Sequence, residues 1–278
     1  MPQEGCFSDT TTVQVYQRGP VQMKDLQVGD WVLTGKDTYQ PVYTFGHHRN
    51  ETTEKMFYQI YHHNSKREEP IEMTGNHLIF VLDTSSGKAK PIRVDQLQEF
   101  DHLITVGHAT SSENEDTPTT VQVSRFALTR KRGVFMPLTA SGKIIVHEGI
   151  VASNYVSLQE ETPSIVESAL LFPFVDEHTL SHWFLSPYRI ACGVHFIDVC
   201  GGHSHDEEGI LRWLTLGRRM ARAAEHYESF ASVPTFLFFG LCNILEIVFL
   251  GPLVWATFGM ELVLLSVVVY GFHQYNEV

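Results

Sequence analysis

Met73-Thr74-Gly75-Asn76-His77-Leu78 is the stretch on which the reading of the chain turns. It runs apolar residue, Thr, small residue, and its histidine opens an apolar strand, Leu78-Ile79-Phe80-Val81. A hydroxyl and an imidazole therefore stand together at one strand entrance, where they could face the peptide bond between Gly5 and Cys6. The pattern returns at Leu138-Thr139-Ala140-Ser141-Gly142-Lys143, which again runs into an apolar strand, Ile144-Ile145-Val146. Earlier in each half, Asp25-Leu26-Gln27-Val28-Gly29-Asp30-Trp31-Val32-Leu33 is echoed by Gln96-Leu97-Gln98-Glu99-Phe100-Asp101-His102-Leu103-Ile104. Two landmarks in the same order, offset by roughly 65 to 70 positions, predict a duplicated β unit. Only the first copy carries the imidazole, since Gly142 stands in the place of His77.

At 278 residues and 43% hydrophobic content the chain can bury one sizeable core and something smaller. The average conceals a division: residues 1–230 hold most of the charge, whereas 233–272 contain only two charged side chains, Glu246 and Glu261. A net charge of -12 leaves no basic face able to neutralise several phosphates, so a nucleic-acid partner is not expected. Four cysteines, Cys6, Cys192, Cys200 and Cys242, are irregularly spaced and make no disulfide framework. Met1 to Gly5 is too short and polar for a secretory signal. Membrane entry through C-terminal segments, or a domain upstream of the chain, is the corresponding expectation.

Residues 10–106 read as short strands between turn signals. Thr10 to Tyr16 is rich in β-branched residues, Gly19-Pro20 breaks it, and Trp31-Val32-Leu33 follows the Gly29-Asp30 turn. Strands are also predicted at Pro41 to Phe45, Met56 to Tyr61 and Leu78 to Leu82, then at Thr120 to Leu128, Val134 to Leu138, Lys143 to Val146 and Gly149 to Ser157. The spacing indicates an all-β domain. Ala109 to Thr119 is acidic and reads as a solvated loop, and Asn50-Glu51-Thr52 is a glycosylation triplet of a kind frequent by chance.

After Ser157 the character changes. Glu160-Glu161-Thr162-Pro163 marks a boundary, with Phe172-Pro173-Phe174 and Ser186-Pro187-Tyr188 as later breakers. Ser204-His205-Asp206-Glu207 reads as a capping box opening a helix to about Phe230, made basic by Arg212, Arg218, Arg219 and Arg222. Pro234 to Leu250 and Leu253 to Phe272 come next, divided by Gly251-Pro252. As helices they would be roughly 25 and 30 Å long, close to the ~30 Å hydrocarbon thickness of a bilayer. Each carries one glutamate, costing on the order of 3 kcal/mol at mid-membrane, which the other side chains can outweigh. Two spans in a tight hairpin are the favoured reading, ahead of a shallower membrane-seated hairpin and a buried soluble pair. The arginines, and with them the β domain, would then be cytoplasmic.

Read jointly, Gly5-Cys6-Phe7, Thr12-Val13, Asp25-Leu26-x-x-Gly29-Asp30-x-Val32-Leu33, Thr44-Phe45, Phe57-Tyr58, Thr74-x-x-His77-Leu78, Pro137-Leu138-Thr139 and Val151-Ala152-Ser153-x-Tyr155 give the chain a family likeness. It resembles the autoprocessing (Hint, or Hog) domain of hedgehog proteins, whose fold and mechanism are shared with inteins. The likeness covers residues 5 to about 158, and the stretch from Glu177-His178 to Pro187-Tyr188-Arg189 is similar to the segment beyond that core in hedgehog proteins. It implies that the Cys6 thiol attacks the Gly5 carbonyl, that His77 contacts and protonates the Cys6 nitrogen, and that Thr74 holds the scissile peptide in distorted geometry. A thioester results, which a second nucleophile cleaves. Glycine before the nucleophile leaves the attack unobstructed by a β-carbon.

The chain departs from the family in places. Sterol-transferring members have an Asp shortly after Thr-Phe, where this chain has Gly46-His47-His48; His47 could replace it as a base, or both histidines could be exposed loop residues. Ala-Ser-Cys-Tyr appears as Ala152-Ser153-Asn154-Tyr155, and Asp9 stands where Gly is usual. Splicing is not expected, because Asn154 is followed by Tyr155. Cys192, His195, Cys200, His203 and His205 supply donors for zinc, but their spacing follows no standard finger, and neither a metal nor a cofactor is expected. The sequence thus predicts a pseudo-twofold all-β Hint domain over 1–158, a linker or adduct region over 159–203, and a helical, membrane-associated tail over 204–278, anchored through 233–272. The expected catalytic residues are Cys6, Thr74, His77 and His47, acting once on the chain's own upstream polypeptide, with water, a thiol, or a lipid or sterol hydroxyl as acceptor. A Hint fold without turnover, serving as a membrane-tethered interaction module, is the alternative.

Overall fold

The computed structural model describes residues 6–49, 54–63, 69–106, 118–147, 149–159, 163, 166, 175–193, 205 and 209–215. Strands dominate: β1 (Thr12–Val15), β2 (Gly19–Gln22), β3 (Trp31–Gly35), β4 (Thr38–Pro41), β5 (Thr44–Arg49), β6 (Lys55–His62) and β7 (Ile71–Met73) come from the first half. They are followed by β8 (His77–Asp83), β9 (Lys88–Arg93), β10 (His102–Ile104), β11 (Thr120–Lys131), β12 (Val134–Leu138), β13 (Lys143–Val146) and β14 (Ile150–Val156). The main sheet runs β4-β3-β1-β13-β14-β8-β10-β11-β6-β7, with β2 on β1 and β9 on β8; β12 and β5 form a separate pair. The all-β expectation holds. The strands missing from the sequence reading are β2, β4, β7, β9 and β10; Gly19-Pro20 read as a break, and β2 and β9 contain Pro20 and Pro91. Each pairs with a single neighbour, and edge strands tolerate a residue without an N–H.

The duplication reappears bond for bond. Short 3₁₀ turns at Met23–Asp25 and Val94–Gln96 precede the two equivalent loops. In the first loop Leu26 N–H donates to Met23 O, Asp30 N–H to Gln27 O, and Gln27 N–H to the Asp30 carboxylate at 2.9 Å. In the second Leu97 donates to Val94 O, Asp101 to Gln98 O, and Gln98 to the Asp101 carboxylate at 2.8 Å. Gly29 N–H then bonds Val42 O in one copy, and Phe100 N–H bonds Val123 O in the other. The duplicated turn is thus a duplicated hydrogen-bonding pattern around an aspartate, which is why Asp30 and Asp101 were the legible part of the echo.

The segment after Cys6 is fastened by Glu72, a buried carboxylate on β7. It accepts the hydroxyls of Ser8 (2.6 Å) and Thr10 (2.7 Å) and the amide of Gln59 (2.8 Å), with Lys131 Nζ at 3.4 Å. Burial alone would raise its pKa; the hydroxyls, the amide and the lysine outweigh burial and hold it below the usual carboxylate value.

Two short helices, α1 (Glu177–Phe184) and α2 (Ser186–Gly193), come after the sheet. Asp176 caps α1 by accepting Thr179 N–H at 2.7 Å. Pro187, read from sequence as a breaker, lies in the first turn of α2, where its missing N–H leaves nothing unpaired. The helix predicted from Ser204 is corrected as well. Among the described residues His205, Ile210 and Leu211 make β-bridges, Gly209 has φ +73°, and helical residues begin at Arg212, while 216–230 of the expected helix lie outside them. A left-handed residue inside the expected first turns cannot belong to a right-handed helix. Both apolar stretches in 233–272 lie outside the described residues, as do Gly5, the triplet at Asn50 and most of the 109–119 loop. Among the described residues no helix is long and apolar enough to cross a membrane.

Phe100 has φ +77° where its counterpart Gly29 has φ +94°, and its side chain is 64% exposed. A left-handed conformation costs a side-chain-bearing residue roughly 1–2 kcal/mol, only partly offset by the extra unfolded-state freedom of glycine. Phe100→Gly is therefore expected to stabilise the fold by about 0.5–1 kcal/mol in urea unfolding, whereas Phe100→Ala, which keeps the strain, is not. A glycine variant no more stable than the alanine variant would contradict the strained-turn account.

Candidate active site

The turn from β7 to β8 presents Thr74 and His77, and His77 N–H donates to Thr74 O at 3.1 Å to close it. Thr74 meets Cys6 twice. Its hydroxyl accepts Cys6 N–H at 2.9 Å, and its own N–H donates to Cys6 O at 3.1 Å. The hydroxyl proton goes to Asn76 Oδ1 at 3.1 Å, which leaves an oxygen lone pair for the Cys6 amide. Asn76 was not singled out from sequence; its position two residues after Thr74 was the available signal. Cys6 is wholly buried in an apolar cluster with Phe57, Leu78, Met136, Leu138 and Leu211 among its members.

His47 lies on β5, 3% exposed, with Nδ1 3.4 Å from Cys6 Sγ. Of the two readings left open by the sequence, neither histidine lies in a loop: both are on β5, where His48 is exposed and His47 is buried facing the thiol. With the ring proton on Nε2, Nδ1 accepts the S–H, a pair able to draw the proton from sulfur.

His77 is also wholly buried but makes different contacts from those expected. Its Nε2 is 2.8 Å from Ser153 O; a carbonyl only accepts, so Nε2 carries the proton and Nδ1 is left with a lone pair. The ring packs on Phe7 with centroids 4.4 Å apart, and among the described residues Nδ1 has no hydrogen-bond partner. The expected contact to the Cys6 amide is replaced, because that single N–H is already given to Thr74. Burial pushes the His77 pKa down to about 4, against a smaller opposing effect of the Ser153 carbonyl, so the ring is neutral at pH 7.

Behind Ser153 stands α1. The Ser153 hydroxyl is 2.9 Å from His178 Nδ1, the Tyr155 hydroxyl 2.8 Å from His182 Nδ1, and Arg189 Nη1 donates to His182 O at 2.7 Å. Burial lowers His178 to about 4, with Asp176 opposing and Lys143 and Arg189 assisting. Burial, then Arg189, His178 and Lys143, lowers His182 to about 2. Neither histidine was identified as a site residue from sequence, because nothing local to Glu177-His178 indicates the partner on β14.

The second copy uses the same residues structurally. Thr139 Oγ1 accepts Asn154 Nδ2–H at 2.9 Å and donates to Lys143 O at 2.8 Å. Among the donors considered for zinc, Cys192 is disulfide-bonded and so unavailable as a thiolate, and His205 Nε2 donates to Phe45 O at 2.6 Å. Cys200, His195 and His203 lie outside the described residues. No group of potential metal ligands occurs among the described residues.

The family model described as the Hint module matches residues 1–223. The Sonic hedgehog protein of Danio rerio is 30% identical over 172 residues, covering 56% of this chain and 37% of that protein. Warthog protein 8 of Caenorhabditis elegans is 30% identical over 153 residues, covering 51% and 26%. The chain thus spans well under half the length of these relatives. Among solved structures, the gp41-1 intein is similar with a TM-score of 0.40 at 16% identity, over 54% of this chain and 98% of that one.

Because His77, His178 and His182 are neutral when folded and ordinary when unfolded, the unfolded chain takes up protons first as pH falls. Their contribution is intact above about pH 6.5 and is lost progressively towards the folded values, near pH 4 for His77 and His178. Urea unfolding at pH 7.5 and pH 5 is expected to show this loss, and His178→Gln to flatten it by roughly 2 kcal/mol. An unchanged slope in His178→Gln would exclude a neutral, buried His178.

Proposed function

The chain belongs to the Hint family, and on that premise we propose that it cleaves its own backbone once, by an N-to-S acyl shift at Gly5-Cys6. The observation that carries the reading is Cys6 itself, buried with its amide on the Thr74 hydroxyl and its sulfur 3.4 Å from His47 Nδ1. An amide is planar and unreactive, with a rotation barrier of about 18–20 kcal/mol, so the site must both activate the sulfur and help the nitrogen leave. His47 takes the S–H proton, the sulfur bonds to the Gly5 carbonyl carbon, and the carbon–nitrogen bond breaks as the Cys6 nitrogen gains a proton. Thr74 holds that nitrogen in place. His77, its Nε2–H committed to Ser153 O, has an Nδ1 lone pair through which the proton taken up by His47 is relayed to the nitrogen, and its low pKa makes the transient imidazolium a strong donor. Net, one proton moves from sulfur to nitrogen and a thioester replaces the peptide bond.

Water, a thiol, or a lipid or sterol hydroxyl then takes the acyl group. The apolar surroundings of Cys6 favour an acceptor with an apolar body, and the 233–272 stretches would seat the domain at a membrane where such acceptors reside. The interaction-module reading draws on one observation: His77 bonds Ser153, not the Cys6 amide.

A reporter protein fused ahead of Gly5 separates the two. Dithiothreitol is expected to release it, with release abolished in Cys6→Ala and slowed about 10²–10⁴-fold in His77→Ala. Thr74→Ala is expected to slow release as well. A folded fusion that stays intact under every condition would leave the interaction module as the function.

A further inference from the structure

Strand β5 has a defect where His47 sits. Its pairing with β12 runs Leu138↔Thr44 and Pro137↔Phe45, then resumes at Phe135↔His48, so Gly46 and His47 together oppose Met136 alone. This is a β-bulge: it re-aims a side chain and interrupts the ladder at the residue whose position matters most. Strand β12 therefore cannot by itself fix the backbone around His47.

A segment more than 150 residues further along supplies the missing bonds. His205 Nε2 donates to Phe45 O at 2.6 Å, Leu211 N–H donates to Gly46 O at 2.9 Å, and His48 N–H donates to Gly209 O at 3.0 Å. His47 and Ile210 are antiparallel bridge partners, and Leu214 closes over Gly46. We infer that His205 and Gly209–Leu211 form a backbone splint for the bulge, which aligns His47 with the Cys6 sulfur; these are positioning residues. The inference rests on His47 acting on Cys6 in the proposed reaction.

Gly209 makes the splint testable without altering any group at the reacting atoms. Its φ is +73°, and a β-carbon there would lie 2.6 Å from His48 O and 3.3 Å from Arg49 Cβ. Any side chain at 209 pushes the segment off β5. Gly87 is the control: φ is +68° with open space around it, so Gly87→Ala carries the same backbone strain and displaces nothing.

Thiol-dependent release from the reporter fusion is measured for Gly209→Ala, His47→Ala, the double variant and Gly87→Ala. Gly209→Ala is expected to slow release about 10- to 100-fold, the range for a misplaced catalytic group. The double variant should be no slower than His47→Ala within about threefold, because a splint for an absent base has nothing to align. Gly87→Ala should release at the unmodified rate. Slowing that multiplies in the double variant, or a Gly209→Ala rate equal to the unmodified one, overturns the splint. Should Gly209→Ala fail to fold, His205→Ala, which removes the donor to Phe45 O, enters the same cycle. A readout independent of cleavage uses the chain without reporter: the His47 ring nitrogen resonances and the His48 amide exchange rate should both change in Gly209→Ala and not in Gly87→Ala. Unchanged His47 resonances overturn the splint even where release occurs; changed resonances with no release in the unmodified fusion support the splint and reject the autoprocessing reading instead.

Discussion

Everything in this molecule depends on how the three residues Cys6, Phe7 and Ser8 are held. They are wholly buried, so each backbone polar group must find a partner or cost the full desolvation of that group. The partners come from both halves of the duplication. Phe7 exchanges a pair of hydrogen bonds with Phe135, Cys6 exchanges a pair with Thr74, and Ser8 N–H goes to Glu72 O. A segment clamped between β7 and β12 ties the two copies together, and the same clamp leaves the Cys6 sulfur in front of β5. Fold and site are one constraint here.

The duplication separates what the fold needs from what the chemistry needs. The aspartate-centred turns are retained in both copies, down to the bond from Gln27 or Gln98 to its aspartate. The threonine is also retained, but Thr139 is consumed by Asn154 and Lys143, whereas Thr74 keeps an oxygen for the Cys6 amide. The imidazole is present once. Its upkeep is costly: His77, His178 and His182 are all buried and neutral, against a free energy that favours protonating each of them in water below pH 6.5. Packing that offsets this cost recruits α1, whose His178 reaches the serine that holds His77.

The region after residue 158 is accordingly not a separate appendage where it is described. Leu185, Tyr188 and Leu211 belong to the same buried cluster as Cys6, and the bulge at His47 is bonded by the segment around Gly209. In the proposed reaction, an acceptor approaching the thioester meets a wall to which both the β domain and the later segment contribute. That arrangement gives a physical route by which residues remote in sequence influence both the base and the access to it.

By itself the sequence indicated the all-β architecture, the duplication and the four expected site residues Cys6, Thr74, His77 and His47. Alternating strands, Gly29-Asp30 turns and the Thr74-x-x-His77 spacing are local signals, written within a few residues of where they act. Cys6 was legible because the motifs around it agree. Local signals also misled, as at Ser204, where a capping box precedes a segment that pairs with β5, and at Pro187, which opens a helix instead of breaking one. Only the tertiary structure decided which of His47 and His48 faces the thiol, since adjacent residues on a bulged strand have no fixed side until the neighbours are in place. It alone gave His77 to Ser153, and Ser153 to His178, across separations of 76 and 25 residues. Those choices are made by burial: once water is excluded, each donor takes the acceptor the packed chain brings to it, and no stretch of sequence encodes that acceptor locally.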